Sequence, residues 1–366
     1  MVDDLKRLSE EKIPFLLCSY SSLDRFFRIR ENDTTYLATD SSIVALAKAF
    51  EDLQFPGLPF EDAAVQTGGG RLVFRCVDSL ALPPTGPFTV MSLLYDPRRD
   101  AFIDRLGVYP DLRAKALTRA AGSHPPWLEL CEAAKLVSRY HYDDSGWESG
   151  WKRGDPLPPL AYQRDLVSTL LQSRRAERGF DLLESVGFVH DAWPELSAMT
   201  EIQHIKDYHP EGNVWEHTLE TLKYRKRPDL TLSLALLLHD SGKPEAEGSG
   251  EKRFDGHSDL GAGMAVKFLR RIGFPDSLID DVSFLVRYHM MPPALKVLPP
   301  WRTERVLASP LFPLLLELYR ADLSSSYGDE GGYFEACRIY KAYLRDKGNP
   351  YLTGRRRDMR TSARRR

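Results

Sequence analysis

Six side chains between residues 217 and 322 are of the types that bind a divalent cation: His217, His239, Asp240, His257, His289 and Asp322. Imidazole supplies a neutral nitrogen ligand and carboxylate an anionic oxygen. The order is one His, an adjacent His-Asp pair, two further His and a final Asp. The chain has nine His in all, so four in this order form a concentrated signal. A single His on a helix is usually a hydrogen-bonded structural residue, and a His-Asp pair arises by chance in many chains. The joint order is much harder to reach by accident. A catalytic metal site leaves a coordination position for water. A bound divalent ion lowers the pKa of that water toward neutrality and so makes a hydroxide nucleophile. Six ligands, with Asp240 as a bridging carboxylate, suffice for two ions. Lys243, three residues after Asp240, is placed to hold a substrate phosphate. The ligand set admits Mn, Fe, Co, Ni and Zn and, less readily, Mg, as one or two ions. Of the neighbouring histidines, His190 and His204 read as structural, and His209 as lining the site entrance.

These residues need helices to carry them. Apolar spacing predicts helices over 214–223, 231–239, 259–272, 277–289, 301–307, 312–322 and 333–344. His239 and Asp240 are adjacent, and neighbours on a helix point about 100° apart. Both reach one ion only where the helix ends, and Gly242 and Pro244 supply that end. Earlier helices are expected over 127–140, 162–171 and 179–186, with a loop over 143–159. The first 115 residues differ: short β-type runs over 15–18, 71–77 and 88–94, a helix over 43–53, and a Thr-Gly-Gly-Gly turn at 67–70. The expected class is α+β, a small mixed α/β head followed by all-α segments.

At 366 residues the chain is too long for one compact core. Its net charge of −2 gives no global pull toward nucleic acid and no DNA-specific signal. Residues 355–366 hold seven Arg and one Asp, which reads as a disordered, solvated tail. Cys18, Cys76, Cys131 and Cys337 are scattered without a CxxC pair, which argues against a zinc ribbon or a disulfide framework. No apolar run approaches the roughly 20 residues needed to span a bilayer, and 1–11 lacks a signal-peptide core. The expected location is cytoplasmic.

Leu237-Leu238-His239-Asp240-Ser241-Gly242-Lys243-Pro244 closely resembles the signature of the HD domain in bacterial tRNA nucleotidyltransferases and poly(A) polymerases. The stretch from His209 to Thr218 resembles that domain's opening, and Phe254-Asp255-Gly256-His257 continues it. The resemblance implies metal-dependent cleavage of a phosphate ester of a nucleotide, cyclic nucleotide or RNA end, with Asp240 and Lys243 catalytic. It extends diffusely over most of 15–325, through Tyr36-Leu37-Ala38-Thr39-Asp40, Phe88-Thr89-Val90-Met91 and Tyr95-Asp96-Pro97. It implies a nucleotidyltransferase-like head over 1–115, a helical neck and body over 116–205, an HD domain over 206–345 and a basic tail over 346–366.

The head departs from that pattern. Phosphoryl transfer there uses two carboxylates spaced D-x-D to hold metal ions, and those positions align with Thr34 and Tyr36. The Gly-Gly pair aligns with Tyr20-Ser21, the Arg-Asp after it with Asp24-Arg25, and a second Arg-Asp with Gly86-Pro87. The expectation from these positions is a head that keeps the fold and lacks the transferase reaction. Two other readings compete with a phosphohydrolase. One is a non-catalytic RNA- or nucleotide-binding protein, with Arg174, Arg175, Arg178 and the tail on phosphates. The other is an active nucleotidyltransferase or poly(A) polymerase using Asp33, Asp40 or Asp78.

Overall fold

A computed structural model describes residues 2–29, 34–82, 86–202, 212–247, 254–326 and 330–346. His204, His209, Asp33 and the basic tail lie outside the described residues. The chain divides into two compact units, Met1–Trp151 and Lys152–Arg366.

The first unit is mixed. Its strands are β1 (Leu16–Leu17), β2 (Thr34–Thr39), β3 (Ala63–Thr67), β4 (Gly70–Cys76), β5 (Leu94–Asp96) and β6 (Ala101–Ile103). Its helices are α1 (Val2–Glu10), α2 (Ser19–Phe27), α3 (Ile43–Ala49), α4 (Tyr109–Ala114) and α5 (Pro126–Tyr140). The six strands form one sheet in the order β3-β4-β2-β1-β5-β6. Only β2 and β4 pair in parallel, with Thr39 opposite Cys76 at their ends. The turn at 68–69 joins β3 to β4 as expected. Alternation along the strands sends Leu17, Leu37, Leu72 and Phe74 into one core with Phe15, Leu46 and Phe50.

One predicted strand is displaced. Residues 89–92 form a 3-10 turn, and the strand begins only at Leu94. Ser92 Oγ donates back to Thr89 O at 2.7 Å, and the turn buries Val90 and Met91 without sheet pairing. Apolar content alone does not separate a buried turn from a buried strand.

The second unit is helical. It contains α6 (Leu160–Leu171), α7 (Ala176–Ser185), α8 (Phe188–Ala192), α9 (Pro194–Ser197), α10 (Val214–Lys223), α11 (Leu230–Leu238) and α12 (Lys243–Ala246). It continues with α13 (His257–Arg271), α14 (Asp276–Tyr288), α15 (Met291–Ala294), α16 (Pro300–Leu307), α17 (Phe312–Ser325) and α18 (Gly331–Asp346). Helix α11 is the centre. Every residue from Leu232 to Leu238 is buried, as expected for a helix that is apolar on all sides. It packs against α10, α13, α14 and α17. The fold class is therefore α+β, an α/β head with a helical remainder. Among the described residues no helix is long and apolar enough to cross a membrane.

Candidate metal centre

Four helices and one turn deliver the six side chains. Asn213 caps α10: its side chain accepts from Glu216 N at 2.8 Å while Glu216 accepts from Asn213 N at 3.1 Å. This reciprocal cap fixes the first turn of the helix, and His217 follows within it, buried. Asp229 caps α11 through Leu232 N at 2.9 Å. That helix stops at His239, so His239 and Asp240 leave it together. The chain then turns at Gly242, where a Cβ would overlap His257 O and Gly261 N. Only glycine lets the end of α11 lie this close to the start of α13. His257 opens α13 after Gly256, whose φ of 76° is left-handed. His289 closes α14, and Asp322 lies in the last turns of α17.

The six converge. His217 Nε2 is 3.0 Å from Asp322 Oδ1 and 3.8 Å from Asp240 Oδ2. His239 Nε2 is 3.3 Å from Asp240 Oδ2 and 3.9 Å from Asp322 Oδ1. The other Asp240 oxygen faces the other two rings: Oδ1 is 3.7 Å from His257 Nε2 and 3.9 Å from His289 Nε2. Two potential ligand groups result, one of His217, His239 and Asp240, the other of Asp240, His257 and His289. Asp240 belongs to both, one oxygen to each.

The ring orientations favour a cation. Nδ1 of His239 donates to Leu236 O at 2.8 Å, that of His257 to Phe254 O at 2.8 Å, and that of His289 to Val286 O at 2.7 Å. A carbonyl only accepts, so each Nδ1 carries hydrogen and each neutral ring turns its Nε2 lone pair to the centre. The Nε2 atoms of His257 and His289 stand 3.0 Å apart. Two lone pairs at that distance repel unless a cation or a proton comes between them. His239 Nε2 is buried and has no hydrogen-bond partner. These residues fit one or two divalent ions.

Electrostatics keeps the set ready to ligate. Burial pushes His289 down to about 4, and His239 adds to the effect. Burial also lowers His257, against the pull of Asp240. Burial alone would raise Asp240, but His239, Lys243 and His217 outweigh it and hold the carboxyl well below the usual range. Asp322 is lowered in the same way against burial, chiefly by its hydrogen bond with His217. His257 and His289 are thus held neutral, and Asp240 and Asp322 ionised, at neutral pH.

Lys243 lies 2.6 Å from Asp240 Oδ2 and packs its ammonium over the Phe254 ring. Ser325, which the sequence pattern does not single out, lies 3.4 Å from His217 Nδ1 and donates to Asp322 O at 2.7 Å. Its position three residues after Asp322 is the only signal the sequence offers for it. His190 stands apart on the surface, 3.0 Å from Asp191 and 2.7 Å from Arg153.

Residues 214–324 match the HD domain family model, so the helical unit contains an HD domain. The chain is also similar to tRNA nucleotidyltransferases. It is 32% identical over 212 residues to the CC-adding tRNA nucleotidyltransferase of Thermus thermophilus, covering 55% of this chain and 48% of the relative. It is 33% identical over 144 residues to the A-adding tRNA nucleotidyltransferase of Deinococcus radiodurans, covering 37% and 33%. The chain thus spans about half, or less, of the length of these curated relatives. The Bacillus stearothermophilus CCA-adding enzyme solved with CTP shares the fold, with a TM-score of 0.53 at 15% identity over 94% of this chain and 82% of that one.

These relatives correct one expectation. Thr34 and Tyr36 at the D-x-D positions predict that nucleotidyltransferase activity is absent; the relatives are nucleotidyltransferases by name, which overturns that inference. Reading the head position by position treats each carboxylate as fixed to one residue. The fold brings two others near each other beyond the C-terminal ends of β2 and β4, away from Thr34: Asp40 directly follows β2, and Asp78 follows Val77, whose N–H donates to Thr39 O at 2.8 Å.

Proposed function

We propose that this chain is a tRNA nucleotidyltransferase-type protein that adds nucleotides at an RNA 3′ end. The similarity at about one-third identity to a CC-adding enzyme carries this reading. We assign the transfer to the head, residues 1–115, joined through 116–205 to the HD domain at 206–345 and the tail at 346–366. Asp40 and Asp78, exposed at adjacent ends of the parallel β2–β4 pair, are its candidate ion-holding carboxylates. The test is incorporation of labelled CTP and ATP into tRNA lacking its terminal CCA. Incorporation lost by at least about 100-fold in Asp40→Ala/Asp78→Ala supports the assignment. Wild-type protein that adds neither nucleotide to any tRNA removes the reading.

A second activity is favoured by the shared Asp240. We assign to the HD domain hydrolysis of a phosphate ester on a nucleotide, cyclic nucleotide or RNA end. His217, His239, Asp240 and Asp322 would hold one divalent ion, and Asp240, His257 and His289 a second. Bound there, such ions supply an activated water and neutralise charge on the phosphoryl group. The protein's part is to fix the rings through Leu236, Phe254 and Val286, and to keep Asp240 ionised in a buried pocket. Lys243, now on Asp240, would swing to the incoming phosphate. Phosphate release from 2′,3′-cyclic nucleotides with Mn²⁺, Ni²⁺ or Mg²⁺ tests this. Turnover that persists in Asp240→Ala rules the site out as catalytic.

A further inference from the structure

A second polar cleft lies in the helical unit, apart from the six metal-ligand candidates. The turn between α6 and α7 and the end of α10 enclose about 390 Å³, within the roughly 300–1,000 Å³ of small-ligand clefts. Arg174, Arg175, Lys223, Arg225 and Lys226 line it, with one carboxylate, Glu177. Arg225 is buried and committed to the fold: it donates to Leu171 O, Ser173 O and, at 2.6 Å, Ser233 Oγ. The other four cations are exposed. Lys223 and Lys226 sit in surface ion pairs, 2.6 Å from Glu220 and 3.3 Å from Glu317. Such exposed pairs contribute little and exchange readily. Arg174 and Arg175 make no hydrogen bond or salt bridge through their side chains among the described residues. A cleft with four available cations is built for an anion with several oxygens.

Glu177 makes the ligand more specific. It is nine-tenths buried and its Oε2 has no hydrogen-bond partner. A phosphodiester, or a fully ionised phosphate monoester, has no hydrogen to donate to this oxygen. A ribose offers a hydroxyl donor beside a phosphate. Burial raises the Glu177 carboxyl despite Lys223, Arg225 and Arg175 nearby, and a donated hydrogen bond would favour its ionised form.

We infer that this cleft binds a ribose-phosphate unit, its phosphate on Arg174, Arg175, Lys223 and Lys226 and a ribose hydroxyl on Glu177. The unit comes from a free mononucleotide or from an RNA strand, and both present the same groups. The inference does not rest on the metal centre or on transferase activity.

Binding is measured on the full-length protein in EDTA, which separates it from every metal-dependent step. The probes are a fluorescein-labelled 12-nucleotide RNA, the same sequence as DNA, and AMP. Arg174→Glu/Arg175→Glu should weaken RNA binding by at least about tenfold. It should also flatten the salt dependence by roughly 0.7 in log–log slope for each phosphate no longer neutralised. Glu177→Gln should weaken RNA and leave DNA unchanged, with thermal melting confirming that the buried substitution folds. AMP binding that falls in the same variants marks a mononucleotide site, and a fall with RNA alone marks a strand site. Unchanged RNA and AMP affinity in the arginine variant overturns the inference. So does an equal effect of Glu177→Gln on RNA and DNA.

Discussion

Asp240 presents a different oxygen to each half of the centre, Oδ2 to His217 and His239 and Oδ1 to His257 and His289. Substitutions on either side should therefore have unequal effects. Asp240→Ala should bind no divalent ion tightly, while His289→Gln should retain one where wild type holds two. Metal content by mass spectrometry after dialysis against Mn²⁺ reads both. Equal loss in the two variants would mean that the halves are not separable. The histidines also predict a pH response. His289 falls from its ordinary 6.5 to about 4 in the fold. A depressed group stabilises the fold above its unfolded pKa, and that stability is lost as pH falls through the folded value. Metal-free protein should lose several degrees of melting temperature between pH 6.5 and 4, and His289→Gln should flatten that slope. An equally steep slope in the variant assigns the acid sensitivity elsewhere. The six candidate residues that converge were legible because imidazole and carboxylate at these positions are chemically distinctive. Their aim was not. It comes from the carbonyls of Leu236, Phe254 and Val286, and every residue type carries a carbonyl.

At the scale of elements, the centre depends on how closely the end of α11 approaches the start of α13. Gly242 sits at that approach, and an added methyl group would overlap backbone atoms, which cannot rotate away. Gly242→Ala should destabilise the helical unit by about 3 kcal/mol and weaken metal binding together with it. Denaturation with and without Mn²⁺ measures both, and a variant as stable as wild type would show that the backbone shifts freely there. Sequence periodicity placed the long helices well, since α10, α11 and α14 begin and end within two residues of expectation. Gly, Pro and capping residues mark those ends. Short strands were harder. β6 has three residues and no alternation to read, and the apolar run around Val90 folds as a turn because Ser92 bonds back to its own segment. Local bonding of that kind leaves no mark in a hydrophobic pattern.

At the scale of the molecule, the head and the HD domain fall in different compact units, so their activities should be separable. Asp240→Ala should keep nucleotide incorporation within about threefold of wild type while losing phosphate release, and Asp40→Ala/Asp78→Ala should do the reverse. Loss of both activities in either variant would point to one shared centre. The overall architecture was legible from the resemblance. The nearness of Asp40 to Asp78 was not, because strand-end carboxylates become neighbours only through the parallel β2–β4 register. A linear alignment contains no such register.

Three helix ends meet at the candidate metal centre. α11 and α14 finish there at His239 and His289, while α13 begins there at His257. Aligned peptide dipoles leave partial negative charge at a helix's C-terminal end and partial positive charge at its N-terminal end. Two of these ends therefore attract a cation and one attracts an anion. Binding should be ordered. In the Arg174→Glu/Arg175→Glu protein, whose separate cationic cleft is disabled, titration calorimetry should detect inorganic phosphate only after Mn²⁺ is present, because until then the carboxylates and two helix ends repel it. Phosphate binding to the metal-free protein at equal affinity would show that the N-terminal end of α13 acts alone.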